Sequence, residues 1–443
     1  MRTDTIEESL ESNGLNMPRV MIILLCFLIW VVDAYDIIAM SVAAPFIRAE
    51  WGLGTDELGI VFTTALLGMM VGALALAPLA DRYGRKPILL GGLLILTLSV
   101  MSITLVSTMS QLIAARFVTG LAIGSILASS TTIAAEFSPA KLRAVAVAFT
   151  VLGYSVGAAI VGPITNAILD QYEWRMIFVF GGGMTAIIFI LTLFVLPESI
   201  QFLKANARRD ANALVKINKM LRKIKCPPIK TLPQVSDLAA APSNGPMALF
   251  GRKHRLRSFL LWFSFFMGLF VTYYILSWTP ILFIEAGFER AQGVKALTLY
   301  AFASIFGALG VAFAFLKLSP SKTVAAIIFA ASLLMIGFSM MGNSSLNLLY
   351  MMFAACGFLI GAANTGLYSI APQLYPDSIR VTGIGWAIGV GRLGAVVSPL
   401  LIGYLLTKDW TMHKFFGVFG IPYLLSAGAV LYLTEYKAST SKG

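Results

Sequence analysis

The chain has 443 residues, 58% of them hydrophobic and only 12% charged, with a mean hydropathy of +0.84. Soluble domains carry about 25% charged residues, so an ordinary soluble protein is excluded. The net charge of +12 sits in short segments between apolar runs, which excludes a nucleic-acid-binding face and leaves the lipid bilayer as the partner.

A bilayer core of about 30 Å takes about 20 apolar residues as a helix. Apolar windows predict twelve such helices, at roughly 20–45, 57–79, 87–108, 111–135, 144–168, 175–196, 257–284, 296–316, 323–343, 346–371, 381–406 and 413–434. Residues 1–19 carry Asp4, Glu7, Glu8 and Glu11 and lack the basic flank of a cleaved signal peptide. The first apolar run is therefore expected to remain as a membrane helix.

That first run carries Asp33 and Asp36 near its middle. A carboxylate there costs at least ~2.5 kcal/mol. Three residues apart, the two acids share one helix face, which must meet protein or water rather than lipid. They read either as functional charges or as a buried ion pair that locks helices together. Arg116 lies about five residues inside the fourth span, roughly 8 Å deep. It either snorkels to the interface or faces inward and needs an acid. Arg392, in Gly389-Val-Gly391-Arg392-Leu-Gly394, lies about twelve residues into the eleventh span, near the midplane. With no acid in its own helix it wants a carboxylate, which a guanidinium binds bidentately. Either a substrate anion supplies it, or Asp33 or Asp36 does.

The long polar segment at 197–256 separates two six-helix halves, 20–196 and 257–434, with a tail at 435–443. The segment is rich in Lys and Arg, and a short helix is expected near 207–225. The halves repeat: Gly120-Leu-Ala-Ile-Gly124 matches Gly357-Phe-Leu-Ile-Gly361, and Glu136, Pro139 and Arg143 fall on Gln373, Pro376 and Arg380, all at a shift of 237. Gly72-Ala-Leu74 matches Gly307-Ala-Leu309 at a shift of 235. A duplicated half is the plan of many secondary transporters, with the site near the midplane. Arg82, Arg85, Lys86, Lys141, Arg143, Lys317, Lys322, Arg380 and the basic segment fall on one side. Only Arg48, Arg175, Arg290, Lys295, Lys408 and Lys414 fall on the other. The positive-inside rule then places both termini in the cytoplasm. The three cysteines form no spacing motif and the two histidines no metal site, so no disulfide, metal or cofactor is expected.

Several motifs carry a family resemblance. Gly72-Ala-Leu-Ala-Leu-Ala-Pro-Leu-Ala-Asp81-Arg82-Tyr-Gly84-Arg85-Lys86 closely resembles the signature loop of the major facilitator superfamily, with Asp81 placed to accept from a facing helix N-terminus. The second half has Phe315-Leu-Lys317-Leu-Ser-Pro-Ser-Lys322 there and no acid. Arg116-Phe-Val-Thr-Gly120, Glu136 with Arg143, and Pro197-Glu198-Ser199 also resemble this superfamily. Asp33-x-x-Asp36 resembles the Asp-Gly-x-Asp pattern of its aromatic acid:proton symporters, which import benzoate-like anions. The departure is Ala34 where that family has Gly.

The resemblance implies an all-α membrane protein of twelve transmembrane helices in two pseudo-symmetric halves, monomeric, in a bacterial inner membrane. It implies symport of a small organic anion with protons. Asp36, with Asp33, would carry protons, Arg116 would partner Asp36, and Arg392 would hold the substrate carboxylate. Asp81, Arg82, Arg85, Glu136, Arg143, Glu198 and Arg380 would form the inner gate. Tyr35, Tyr154, Tyr273, Tyr274, Trp278, Asn364, Tyr368 and Trp386 are candidate cavity walls for an aromatic ligand, although each taken singly reads first as bundle packing or a membrane-interface anchor. A sugar importer, another organic acid such as a muconate-like dicarboxylate or nicotinate, and an exporter remain alternatives. A membrane enzyme lacks any nucleophile or phosphate motif. A sensor lacks room for an output domain in the 197–256 segment.

Overall fold

The structure, a computed structural model, describes residues 6–12, 14–76, 79–169, 171–205, 212–229, 249–251, 255–341, 345–375 and 380–440. Among them, twelve helices are long and apolar enough to cross a membrane, as the apolar windows predict. They are α1 Met17–Trp51, α2 Thr55–Val71, α3 Arg85–Ser102, α4 Met109–Glu136, α5 Arg143–Leu169 and α6 Arg175–Val195. The second six are α7 Arg255–Glu285, α8 Arg290–Ala314, α9 Pro320–Ser339, α10 Leu346–Ile370, α11 Arg380–Leu406 and α12 Met412–Thr440.

The first span is longer than its apolar window at both ends, because helical hydrogen bonding continues through Arg19 and Arg48 once the bilayer thickness is passed. Pro45 lies inside it, as membrane helices tolerate. The helix expected near 207–225 is present as Ala213–Lys223 and buries Ile217, Met220 and Leu221. Residues 207–211 lie outside the described residues.

By contacts the chain divides into two compact units. The first holds Met1–Asp36, Leu67–Gly157 and Arg175–Ala239; the second holds Ile37–Leu66, Ala158–Trp174 and Ala240–Gly443. In the first unit α3 packs on α4 and α6, and a π-helical turn at Gly72–Leu76, continuing α2, packs on α4. In the second, α8 packs on α10, α7 on α11 and α9 on α12.

The sequence repeat reappears as repeated packing. A Cβ added to Gly72 would strike the carbonyl of Leu121, and one added to Gly307 would strike that of Phe358. Gly157 of α5 meets the Val31 carbonyl on α1 in the same way, and Gly394 of α11 meets that of Phe266 on α7. Small residues let backbones touch, and a backbone carbonyl cannot step aside for a methyl group.

Within the second unit, the last turns of α1, the first of α2 and the last of α5 pack on α7, α8 and α11. Ser41 donates to the Ser277 carbonyl at 2.8 Å, Thr55 to Gly403 at 3.0 Å and Thr63 to Val396 at 3.1 Å. Phe62 stands edge-on to Trp278 at 5.2 Å, and Arg48 pairs with Glu285 at 2.5 Å. Arg290 reaches Asn166 at 3.3 Å and lies over the Phe46 ring.

Candidate functional site

In the first unit, Asp33 and Asp36 follow the apolar run of α1 and are 2% and 3% exposed, and Arg116 on α4 is 2% exposed. Burial at this depth decides between the two readings of Arg116: it does not snorkel. Its Nη1 donates to Asp36 Oδ1 and Oδ2, each at 2.8 Å. Arg116 Nε donates to no described residue. The guanidinium therefore uses one nitrogen on the carboxylate rather than its two-pronged fork.

At the end of this unit near the N-terminus, charges are gathered by loop ends. Glu198 accepts from the backbone N–H groups of Arg85 and Lys86 at 2.9 and 3.1 Å, at the N-terminus of α3, where a helix favours negative charge. Gly84 enters that turn at φ 105°, a conformation glycine adopts freely; a Cβ there would sit 2.6 Å from the Glu198 carboxylate. Glu136 pairs with Arg85 and accepts from the Ser199 hydroxyl at 2.7 Å. Arg82 is exposed and stacks over Tyr83, and Arg143 is exposed, lining a small cleft with Glu11, Glu136 and Lys204. The acid that caps a helix N-terminus here is Glu198. The side chains of Asp81 and Arg380 lie outside the described residues.

Sequence reasoning missed Arg19, which is fully buried and donates to the carbonyls of Phe137, at 2.6 Å, Leu10, at 2.7 Å, and Gly14. It ties the N-terminal helix Ile6–Ser12 to the bundle. Ser9 and Asn16 extend the tie to the carbonyls of Pro227 and Ile224. A lone arginine in the first turn of an apolar helix is the signal that would have found it.

In the second unit Arg392 is half-buried on α11, and Tyr368 on α10 lies within its field. Asn364, one turn before Tyr368 on the same helix face, is half-buried and donates from Nδ2 to the Thr272 hydroxyl at 2.7 Å. Tyr273 is half-buried and packs against Leu66, Leu269, Ala395 and Val396.

Four other proposed wall residues, Tyr35, Trp278, Tyr274 and Trp386, are engaged by ring contacts or hydrogen bonds. Tyr35 donates its hydroxyl to the Ile177 carbonyl at 2.8 Å and sets its ring beside Phe180. Trp278 is fully buried, with Nε1 on the Pro399 carbonyl at 3.2 Å. Tyr274 is fully buried among Phe415, Phe416 and Phe419. Trp386 stacks on Trp262 at 5.4 Å beside Phe250. Tyr154 is half-buried on α5. A ring's hydrophobicity shows from sequence, but not whether a neighbour has already filled its space.

A sequence-family description of the Major Facilitator Superfamily matches residues 25–341. The chain belongs to the Major Facilitator Superfamily. Within it, the chain is 30% identical over 417 residues to the 4-hydroxybenzoate transporter PcaK of Acinetobacter baylyi, covering 93% of this chain and 90% of that one. It is 26% identical over 452 residues to the benzoate transport protein of the same organism, covering 98% and 93%. Its fold matches the crystal structure of a D-xylose-proton symporter with a TM-score of 0.70 over 93% of this chain and 97% of that one, at 16% identity. This facilitator therefore shares its fold with a sugar porter and its sequence with carriers named for aromatic acids.

Proposed function

We propose that the protein is a proton-coupled importer of a small aromatic carboxylate, benzoate-like or hydroxybenzoate-like, working by alternating access with both termini in the cytoplasm. The observation that carries this reading is the Asp36–Arg116 pair, sealed inside membrane-spanning helices. A carboxylate at that depth is costly, and its one-nitrogen pairing is a bond that protonation can release.

Protonating Asp36 leaves the Arg116 charge uncompensated, which favours rearrangement of α1 and α4. Asp33, on the same face, is a second protonation site, and two such acids titrate as a pair. The half-buried Arg392 with Tyr368 beside it supplies a cation and a ring for an aromatic anion. The names of the relatives support the substrate class. Carrying the anion with protons offsets its charge and lets an inward proton gradient drive uptake. Glu136–Arg85 and Glu198 on the α3 N-terminus form an inner latch, and the Arg48–Glu285 layer an outer one.

The test is uptake of labelled 4-hydroxybenzoate and benzoate into proteoliposomes with and without an imposed pH gradient. Acceleration by an inward gradient, lost in Asp36→Asn, is the expected result. Gradient-driven uptake that survives Asp36→Asn would remove the coupling role.

A further inference from the structure

Thr272 is the hub of a hydrogen-bond network inside the second unit. Its hydroxyl donates to the Gly268 carbonyl at 2.9 Å and accepts from Asn364 Nδ2 at 2.7 Å. A hydroxyl has one proton and two lone pairs. With its proton on a carbonyl, Thr272 can only accept from its other neighbours, so the carboxamide must turn its NH2 toward it. The network itself thus fixes which end of the amide is which.

Asn364 Oδ1 is consequently held the opposite way. It rests in the notch left by the missing side chain of Gly268, where a Cβ would come within 2.6 Å of it, and it accepts from no described residue. Asn364 is only half-buried, so this oxygen is a fixed acceptor on a helix face that is not packed shut. One turn along the same face, about 6 Å by the helix rise, Tyr368 lies in the field of Arg392.

We infer that Asn364 determines specificity: its Oδ1 accepts a hydrogen bond from a hydroxyl on the substrate ring, and Thr272 is the positioning residue that aims it. The inference rests on the aromatic-acid reading above and narrows it to hydroxylated aromatic carboxylates. A site arranged around a substrate hydroxyl discriminates strongly against the analogue that lacks it, because the acceptor is then left dry.

The experiment compares initial uptake of 4-hydroxybenzoate, 3-hydroxybenzoate and benzoate in proteoliposomes of the full chain, with competition against labelled 4-hydroxybenzoate as a binding readout. The wild type should prefer one hydroxybenzoate over benzoate. Thr272→Val, which frees the amide, and Gly268→Ala, which pushes Oδ1 aside, should each lower that preference about tenfold, roughly one hydrogen bond. Thr272→Ser, which keeps the hydroxyl, should retain it. A preference unchanged in both Thr272→Val and Gly268→Ala, by uptake and by competition, overturns the inference, as does a wild type that carries benzoate as well as either hydroxybenzoate. A wild type that takes up none of the three overturns the functional reading itself, and this inference with it.

Discussion

Arg116 turns a single nitrogen toward both carboxylate oxygens of Asp36, at 2.8 Å each. Removing one partner of a buried pair strands the other charge, which costs about 3–5 kcal/mol. Arg116→Ala should therefore lower the thermal unfolding temperature in detergent sharply. The double variant Asp36→Ala with Arg116→Ala should recover part of the loss, since no lone charge remains. Equal melting of the single and double variants would mean that the pair contributes no coupling.

The Glu198 carboxylate sits on the α3 N-terminus with two backbone donors. Hydrogen bonds to a charged group contribute about 1.5–3 kcal/mol each in favourable cases. Glu198→Ala should destabilise the solubilised protein by a few kcal/mol, and Glu198→Gln by less, because the amide oxygen still accepts. Gly84→Ala should also destabilise, through both its positive φ and the crowding of Glu198. Thermal melts of the three variants in one detergent check the ranking.

Two features of the second unit separate strong from weak contacts. Arg48 and Glu285 are 36% and 45% exposed, so their pair is worth about 0–1 kcal/mol, and Arg48→Ala should hardly change the melting temperature. Gly59 differs. A Cβ there meets the Pro399 carbonyl at 2.9 Å and the Leu400 Cα at 3.4 Å, both backbone. Gly59→Val should force α2 off α11 and expose a cysteine placed at Thr63, which bonds the Val396 carbonyl of α11, to an impermeant maleimide. Labelling no faster than in the Gly59 parent would contradict this.

Cys226 is buried beside Arg19 and Asn16 in the first unit. Burial pushes its thiol pKa up, and the nearby guanidinium and amide only partly oppose this. A thiol whose folded pKa lies above its unfolded value stabilises the fold fully below the unfolded pKa, and this is lost as pH rises through the folded pKa. Alkylation of Cys226 should be slow near neutrality. Protection of the Ile6–Ser12 amides, taken relative to their intrinsic base-catalysed exchange, should fall only in the alkaline range. Rapid labelling at neutral pH would show that the tie between Ile6–Ser12 and the bundle opens without titration.

Much of the fold was legible because lipid imposes length and apolarity on every span, and because duplication left glycines in register. Charge at depth showed that Arg116 needs either the interface or an acid, and the family resemblance supplied Asp36 as that acid. The rest depended on neighbours that no single helix reveals. Glu198 reaches the N-terminus of α3 from more than a hundred residues further along the chain, a partnership that no local pattern announces. Trp278 and Tyr274 were open between cavity wall and bundle packing, and the structure sets them beside Phe62 and Phe416. Thr272 gave no signal of its own, since a threonine one turn after a glycine is unremarked until Asn364 bonds it.

The glycine seams joining Gly72 to Leu121 and Gly307 to Phe358 leave no cushion of side chains on which those helices could slide. Each couple is bolted like two planks and must travel as one stave through any working cycle. Adaptive tuning of speed or selectivity therefore has to be sought at other joints, and libraries that spare these four positions will lose fewer members to collapse.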